Sequence, residues 1–340
     1  MAITISTCMI VKNEESILDR CLQSVAQISD EIIIVDTGST DRTKEIAYKY
    51  TDKVYDFQWI NDFSVARNYS FSKATMDYIY VADADEVIDE ENIAKFKQLK
   101  EVLLPEIDVV QMYYANQLEN GSSYNFDREL RPKLYKRLRT FIWHNAVHEE
   151  VQLNAIVYDS DIDIQHKPLA NHANRDFSIF LNVIRHEGTL NTRLIRIYVK
   201  ELFISGSDED FLDAYDYFNN LSKENIPEEL IHDAQAVLVK VGLINNDLSL
   251  IMEHALKNLA TEAPTSEVCY MLGEHYEAMK DYNNAIIWYY NAAFESETEI
   301  ILHYGGDYPL LGLSRCYKAL GMKEKELEYL ELYNNWSAEA

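Results

Sequence analysis

The stretch Asp77-Tyr-Ile-Tyr-Val-Ala-Asp83-Ala-Asp85-Glu86 decides the fold, because an apolar run in it ends directly at acidic residues. Tyr78 to Ala82 is aromatic and β-branched and has no helical period, which predicts a buried strand of an α/β sheet. In such sheets ligands bind beyond the carboxyl ends of the strands. The stretch therefore predicts a ligand site at Asp83 and Asp85.

The spacing of Asp83 and Asp85 favours a cation site. In an extended segment, residues two apart point to the same side, so both carboxylates would face one ion. One or two carboxylates, completed by substrate phosphates, suit Mg²⁺ or Mn²⁺. The neighbouring acids Glu86, Asp89 and Glu90 are interpreted instead as a solvated loop and the acidic first turn of the next helix.

The composition of the chain limits what this site can serve. With 340 residues, 47% of them hydrophobic and 26% charged, the chain is long enough for two domains. Its formal net charge of −26 opposes non-specific binding to nucleic acid or anionic lipid. No apolar run approaches the ~20 residues that cross a bilayer and no signal-peptide pattern is present, so we expect a cytoplasmic protein. Cys8, Cys21, Cys269 and Cys316 lack metal-ligand or redox spacing, which predicts buried, inert thiols.

Strands and helices alternate ahead of the acidic stretch. The predicted elements are a strand from Ile3 to Val11 followed by a helix, a strand from Glu31 to Val35, a strand from Lys53 to Phe57, and a helix from about Asp62 to Lys73. Alternating units of this length build a mostly parallel sheet with right-handed crossovers. We therefore expect the ends of several strands to meet at one edge.

Three strand ends bring Asn13, Asp36 and Asp83 to that edge, and Arg67 on the third helix would lean over them. A carboxylate such as Asp36 can accept the imide N–H of a uracil, and an arginine can form a fork with a diphosphate or pack on the base. Taken singly, Asp36 is more typical of a turn or helix cap, and Arg67 is more typical of a surface ion pair. Together with Asp83 and Asp85 they favour a nucleotide pocket.

From Asp108 to about Lys167, strand-like segments alternate with polar turns and would form the acceptor side. The basic cluster from Arg128 to Arg139 either faces a diphosphate or an acidic acceptor, or is a solvated edge strand, and both interpretations stay open. In the segment from Trp143 to Glu150, Glu149 is the candidate base for the acceptor's proton. His148 or His166 would complete the metal ligands, although histidines at strand ends are commonly structural.

Four motifs in order resemble the signature of a known family. They are Cys8-Met-Ile-Val-Lys-Asn-Glu-Glu15, Ile34-Val-Asp-Thr-Gly-Ser-Thr-Asp-Arg-Thr43, Asp62-Phe-Ser-Val-Ala-Arg67-Asn68 and Ala82-Asp-Ala-Asp-Glu86. This order is similar to that of family 2 glycosyltransferases and covers about the first 100 residues. The later pattern Trp-x-x-x-Val-His-Glu, with helical repeats behind it, resembles the branch that glycosylates peptides or proteins. That branch includes sublancin-type S-glycosyltransferases and some flagellin-modifying enzymes.

The resemblance implies a GT-A (nucleotide-diphospho-sugar transferase) fold, a UDP-sugar donor, a divalent metal such as Mn²⁺ or Mg²⁺, and inversion at the anomeric carbon. It assigns Asp83 and Asp85 to the metal and diphosphate; we add His148 as a third metal ligand and give Glu149 and Asp85 the catalytic roles. The residues expected to contact the sugar nucleotide are Val11, Asn13, Glu14, Asp36, Arg67, Asp83, Ala84 and Arg131.

Past His172, helical periodicity runs to the end of the chain, so we place the GT-A domain at residues 1–175 and an all-α repeat domain at 176–340. Ser266 to Ser296 resembles a tetratricopeptide (TPR) repeat, and a looser copy around Leu313 to Ala319 implies an insertion looped out near Gly305-Gly306-Asp307. Residues 195–260 predict two further helical hairpins. This domain would hold a polypeptide acceptor, pair two subunits in a homodimer, or merely buttress the catalytic domain.

These patterns predict a metal-dependent, inverting glycosyltransferase that moves a hexose or N-acetylhexosamine from a UDP-sugar to a peptide or protein side chain. One alternative keeps the donor but extends a cell-surface glycan or lipid-linked saccharide. Another is a non-catalytic TPR scaffold with a vestigial sugar-nucleotide domain. Nucleotidyl transfer is disfavoured, because Met9 to Glu15 contains no glycine and one lysine, unlike a Gly-rich, basic phosphate loop.

Overall fold

The computed structural model describes residues 2–115, 128–152, 154–168, 173–261 and 264–337. The chain divides after Asn171 into two compact units, which we call unit 1 (residues 1–171) and unit 2 (residues 172–340). Within the described ranges, no helix is both long enough and apolar enough to cross a membrane.

Unit 1 is an α/β unit whose strands and helices follow the predicted alternation. Its strands are β1 (Ile5–Val11), β2 (Glu31–Asp36), β3 (Val54–Asp56), β4 (Tyr78–Val81), β5 (Glu86–Val87), β6 (Val109–Ala115), β7 (Glu129–Lys136), β8 (Trp143–His144), β9 (Glu150–Val151) and β10 (Val157–His166). Its helices are α1 (Leu18–Val25), α2 (Thr43–Ala47), α3 (Phe63–Phe71) and α4 (Glu90–Val102), with a short 3-10 helix at Arg137–Arg139.

Eight of these strands form one sheet in the order β3-β2-β1-β4-β7-β6-β10-β5. The first four are parallel, as expected, but β7 runs antiparallel to both β4 and β6, so the sheet as a whole is mixed. In the parallel part Val11 lies opposite Asp36, and Cys8 lies opposite Val81. This register brings the carboxyl ends of β1, β2 and β4 to one edge.

Successive side chains of the parallel strands point to opposite faces of the sheet, and both faces are buried. On one face Met9 and Tyr80 join a core with Leu22 of α1 and Phe96 of α4. On the other face Cys8, Ile33 and Ile79 pack with Phe71 of α3. All four cysteines of the chain are buried and free. Asp62 caps α3, because its side chain accepts a hydrogen bond from the backbone N–H of Val65.

Unit 2 consists of helices joined by short connections. They are α5 (Ala173–Glu187), α6 (Thr192–Ser205), α7 (Asp208–Leu221), α8 (Glu228–Asn245), α9 (Leu248–Leu259), α10 (Ser266–Ala278), α11 (Tyr282–Phe294), α12 (Asp307–Ala319) and α13 (Lys323–Asn335). A 3-10 helix at Leu302–Gly305 lies in the predicted insertion between α11 and α12. Asp307 is not part of that loop, since it already begins α12.

Small residues let the helices of unit 2 approach closely, as the repeat pattern predicts. The ring of Tyr289 on α11 is fully buried. A methyl group on Gly273 of α10 would lie 2.5 Å from this ring, and one on Gly312 of α12 would lie 2.7 Å from it. The Tyr289 hydroxyl donates to Glu277 at 2.6 Å, and Arg315 forks the same carboxylate at 2.7 and 2.9 Å. Tyr289 therefore links α10, α11 and α12.

Unit 2 also contains a buried acidic cluster. Asp233 on α8 is 3% exposed, and burial raises its pKa to about 7, although nearby Arg196 opposes the rise. The carboxylates of Glu299 and Glu267 add to it. A hydrogen bond with Glu299 likewise raises the pKa of the His232 imidazole. These groups hold protons more tightly in the folded chain than in an unfolded one.

We expect unit 2 to lose stability as the pH rises from about 5.5 to 8. The pKa of Asp233 rises on folding from 3.8 to about 7, so between these values the folded state keeps a proton that the unfolded state has lost. The free energy of unfolding therefore falls by about 1.4 kcal/mol per pH unit up to the folded pKa. Asp233→Asn removes this contribution, so between pH 5.5 and 8 the stability of the variant relative to the wild type should increase by about 2 kcal/mol. Hydrogen–deuterium exchange of the α8 amides, corrected for the intrinsic pH effect, measures the difference. The control is Asp216→Asn, at an exposed position of α7; an equal gain there would contradict the assignment.

Candidate sugar-nucleotide site

The ends of β1 and β2 are tied together by hydrogen bonds between the loops that follow them. The N–H of Thr37 donates to the carbonyl of Val11 at 2.9 Å. Asn13 adopts a left-handed backbone conformation with φ 57°, and its Oδ1 accepts from the N–H of Thr40 at 2.8 Å. The N–H of Glu14 donates to Thr43 Oγ1 at 2.6 Å. Val11, Asn13 and Glu14 thus help to shape the edge of the sheet where ligand binding is expected.

Asp36 lies at the end of β2 and is 1% exposed. Its Oδ1 accepts from the N–H groups of Gly38 at 3.0 Å and Ser39 at 2.9 Å. Gly38 has φ 105°, a conformation that other residues rarely adopt. Asp36 Oδ2 is buried without a hydrogen-bond partner in the described part of the chain. Because a buried acceptor without a donor is costly, this oxygen suits a donor supplied by a ligand.

The segment after β4 is a turn, not the extended segment expected from Asp-x-Asp. The N–H of Glu86 donates to the carbonyl of Asp83 at 3.1 Å, which closes the chain on itself from 83 to 86. Ala84 is buried within this turn. The side chains of Asp83 and Asp85 consequently have different partners, and the period-two argument for a shared ion does not apply to them.

Asp83 faces cations. Its Oδ1 accepts from Arg67 Nη2 at 2.9 Å, and its Oδ2 lies 3.9 Å from Lys133 Nζ. Burial alone would raise the pKa of Asp83, but Arg67 and Lys133 together hold it well below its usual range. Arg67 also donates from Nε to Glu149 Oε1, and its guanidinium lies 5.2 Å from the centre of the Trp143 ring. Arg67 therefore joins Asp83 to Glu149.

Asp85 faces a histidine on β10. Its Oδ2 lies 3.2 Å from His166 Nε2, and its Oδ1 is buried without a hydrogen-bond partner in the ranges described. The N–H of Lys167 donates to the carbonyl of Asp85 at 2.8 Å, which holds the turn against the end of β10. A carboxylate oxygen and an imidazole nitrogen are both donors that Mn²⁺ accepts, so this pair fits one side of a divalent metal site.

The structure does not group the three residues predicted to bind the metal, Asp83, Asp85 and His148. Among the described residues, no group of three or more His, Cys, Asp and Glu side chains lies close enough to hold a metal ion. Asp83 is engaged by Arg67 and Lys133, and the histidine beside Asp85 is His166, not His148. His148 itself has a left-handed backbone with φ 47°. Any metal here would depend on substrate oxygens to complete its coordination.

Glu86 is not a solvated loop residue, contrary to the expectation. It is 1% exposed, and Lys133 Nζ donates to its Oε1. Burial raises the pKa of Glu86 to about 7 even though Lys133 lowers it. Asp89 does behave as expected, since it caps α4 through the N–H of Asn92 at 2.9 Å. A buried lysine–glutamate pair thus lies directly beneath the turn.

The basic cluster from Arg128 to Arg139 divides between surface contacts and the site. Arg131 forms an ion pair with Glu129 and lies 4.0 Å from the centre of the Tyr114 ring. The Tyr114 ring is in turn 4.9 Å from that of His166, so Arg131 is near the site through two intervening contacts. Lys133 of this cluster contacts the acidic turn directly, at Asp83 and Glu86.

From the sequence, Lys133 is included only as one residue of the basic cluster from Arg128 to Arg139, and His166 is an alternative to His148. Both residues lie on strands that are distant in the sequence from the turn. Lys133 is 47 residues from its partner Glu86, and His166 is 81 residues from its partner Asp85. A signal for Lys133 was present in the sequence: Lys133-Leu-Tyr reads as a buried strand that contains a lysine, which requires a buried acid nearby.

Comparison with known proteins defines the class. Residues 6–163 match the family model described as Glycosyl transferase family 2. Residues 6–163, within unit 1, therefore match a family 2 glycosyltransferase domain, and the α/β architecture of unit 1 agrees with the GT-A fold that the sequence motifs imply. The family match ends within β10, so it does not include unit 2.

Individual relatives extend this comparison. The glycosyltransferase SunS of Bacillus subtilis is 29% identical over 271 residues, which is 74% of this chain and 62% of SunS. A TPR repeat-containing protein of Synechococcus elongatus is 50% identical over 82 residues, 24% of this chain and 20% of that protein. The chain thus spans less than two thirds of either relative.

Among solved structures, glucosyl-3-phosphoglycerate synthase from Mycobacterium tuberculosis, in complex with Mn²⁺, UDP and glucosyl-3-phosphoglycerate, is a distant match. It has a TM-score of 0.39 and 14% identity, and the match covers 56% of this chain and 82% of that one.

Proposed function

We propose that the protein is a metal-dependent, inverting glycosyltransferase that moves a hexose or N-acetylhexosamine from a UDP-sugar to a peptide or protein side chain. The observation that carries the proposal is that two of the buried carboxylate oxygens without a hydrogen-bond partner within the described chain, Asp36 Oδ2 and Asp85 Oδ1, lie at strand ends of unit 1. Asp36 is the last residue of β2 and Asp85 lies in the turn after β4, and both strands end at the same edge of a family 2 domain. Such costly atoms are retained where a ligand satisfies them.

The donor would be bound from both ends of this edge. Asp36 Oδ2 is suited to accept the imide N–H of uracil, and its orientation is fixed by Gly38 and Ser39. Asp85 and His166 would hold the divalent ion on the diphosphate side. A bound ion would stabilise the negative charge of the leaving UDP. Asp83 would orient Arg67 towards the nucleotide, since the two are already paired.

Glu149 is our candidate for the base that removes the acceptor's proton. Its Oε1 accepts from Arg67, which places the carboxylate next to the proposed donor site. The segment that carries it is held by α3: Asn68 donates to the Trp143 carbonyl and accepts from the Trp143 N–H, each at 2.9 Å. A base held rigidly at this position can act on an acceptor that approaches above the donor.

We further propose that the acceptor is a peptide or protein side chain. Similarity to SunS covers 74% of the chain and so extends past unit 1. Unit 2 consists of stacked helical hairpins, an architecture that commonly presents an extended surface to a polypeptide. The nucleophile would be a Ser, Thr or Cys side chain of that acceptor.

Calorimetric titration of UDP, with and without Mn²⁺, tests the donor site. We expect micromolar binding that depends on Mn²⁺ and is abolished by EDTA, followed by release of UDP from a UDP-hexose or UDP-N-acetylhexosamine. A mass increase on a candidate peptide, but not on a lipid-linked acceptor, supports the acceptor. Absence of UDP binding with and without metal would refute the proposal.

Glu149→Gln separates a base from a residue that only orients Arg67. If Glu149 is the base, kcat should fall by about 10²–10⁴-fold while the Kd for UDP changes less than threefold. If it only orients Arg67, UDP affinity should fall together with kcat. Glu150→Gln is the matched control, because Glu150 is the next residue and its Oε1 accepts from Asn145 Nδ2 at 3.4 Å. Steady-state kinetics and the UDP titration give both quantities.

A further inference from the structure

Lys133 is a buried lysine beneath the acidic turn at residues 83–86. It is 5% exposed, and its ammonium group donates to Glu86 Oε1 and to the Val81 carbonyl at 3.4 Å. It also lies 3.9 Å from Asp83 Oδ2. Burying an ammonium group is costly unless it is paired, and Glu86 alone would satisfy that need. The additional approach to Asp83 therefore needs its own explanation.

The backbone of β7 is irregular at this residue. The pairing between β6 and β7 passes from Val110 opposite Leu134 to Gln111 opposite Pro132, so Lys133 is skipped in the register. On the other side of β7, Leu134 lies opposite Tyr80 of β4. Such a bulge re-aims a side chain, and bulges are common next to active sites. Here the re-aimed side chain reaches the end of β4, where the acidic turn begins.

The turn at residues 83–86 carries several negative charges, whose repulsion Lys133 reduces. Asp83, Asp85 and Glu86 fall within four consecutive residues, so the turn concentrates like charges that repel one another. Arg67 contacts Asp83 from α3, on one side, and Lys133 contacts Asp83 and Glu86 from β7. Asp83 is thus held between two cations from different elements, one on each of its oxygens.

We propose that Lys133 is a positioning residue of the donor site, which fixes Asp83 and the turn that carries Asp85, in addition to neutralising Glu86. The proposal rests on the function proposed above and adds a residue to it. It also accounts for part of the basic cluster on β7. Arg128, by contrast, pairs with Asp163, and Arg139 lies 3.5 Å from Asp108.

The test must separate positioning from the stability of a buried pair. Lys133→Met alone leaves Glu86 buried without its cation and is expected to impair folding. The informative comparison is between Glu86→Gln and the double variant Glu86→Gln with Lys133→Met. In the double variant residue 86 is neutral, so removal of the lysine leaves no unpaired charge there. Thermal unfolding identifies the folded variants, and UDP titration with Mn²⁺ measures donor affinity.

If Lys133 positions Asp83, the folded double variant should bind UDP about tenfold more weakly than Glu86→Gln. The matched control compares Glu31→Gln with the double variant Glu31→Gln and Lys53→Met, because Lys53 pairs with buried Glu31 at the opposite end of β2 from the site, and these two variants should bind UDP equally. Equal UDP affinity in Glu86→Gln and the double variant would overturn the role of Lys133 and leave the proposed function standing. Failure of the wild type itself to bind UDP would overturn both.

Discussion

Asp85→Asn is expected to lower sugar transfer by about 100-fold or more and to remove the Mn²⁺ dependence of UDP binding. The substitution keeps the size of the side chain but replaces one anionic oxygen by an amide that donates hydrogen bonds and binds metal poorly. Because Asp85 Oδ1 is buried and has no hydrogen-bond partner in the described residues, an amide at the Oδ1 position removes no contact within the protein, and the remaining oxygen can keep the contact with His166. Calorimetric titration and a transfer assay measure the two effects.

Two further variants make this result specific. His166→Gln should weaken Mn²⁺-dependent UDP binding in the same direction, since His166 Nε2 lies 3.2 Å from Asp85 Oδ2. Asp161→Asn should leave it unchanged, because Asp161 lies on the same strand with its side chain largely exposed. If Asp85→Asn retains metal-dependent binding, the divalent ion is held elsewhere.

Gly273→Ala is expected to destabilise unit 2 by about 1–3 kcal/mol, the range found when a packed core is overfilled. The new methyl group would lie 2.5 Å from the ring of Tyr289, which is fully buried and cannot retreat towards Gly312 on its other side. The helix propensity of alanine favours the substitution by about 1 kcal/mol, but this gain is smaller than the clash. Hydrogen–deuterium exchange of the α10 and α11 amides reports the loss in unit 2 itself.

A compensating change tests the mechanism of this loss. Adding Tyr289→Leu to Gly273→Ala should recover part of the protection, because the smaller side chain removes the clash even though it forfeits the hydrogen bond to Glu277. Ala278→Ser, at an exposed position near the end of the same helix, should change protection by less than about 0.5 kcal/mol. A neutral or stabilising effect of Gly273→Ala would show that the helices can move apart without cost.

The sequence predicted what depends on local pattern. The buried strand at Tyr78, the helix that begins near Asp62 and the small residues between helices at Gly273 each follow from composition over a few residues, and the structure has all three. The family 2 domain was likewise predicted from four short motifs and is confirmed by the family match. The expected division at residue 175 stays a prediction, next to an observed change of unit after Asn171.

The local conformation after β4 could not be predicted, because Asp-x-Asp is compatible with both a strand and a turn. A single hydrogen bond from the N–H of Glu86 to the carbonyl of Asp83 decides between them. That choice sends Asp85 towards β10 and buries Glu86, which the sequence placed in solvent. Hydrophobic periodicity predicts regular helices and strands but not the residue at which each of them ends.

Contacts between distant strands were also beyond the sequence. Arg67 and Glu149 are 82 residues apart, and nothing in either motif indicates that they meet. The bulge that aims Lys133 at the turn is an irregularity of register, which depends on how β6 and β7 pair and not on the composition of either strand. Both features arise from tertiary packing and were therefore accessible only in the folded chain.

The double contact of Arg67 couples two acids that lie far apart in the sequence. One guanidinium pairs with both Asp83 and Glu149, while Lys133 approaches Asp83 from its other oxygen. Loss of Arg67 would therefore remove the cation that Glu149 contacts but leave Asp83 near Lys133. The effects of substituting Asp83 and Glu149 are consequently expected to be non-additive when Arg67 is present and to add when it is absent.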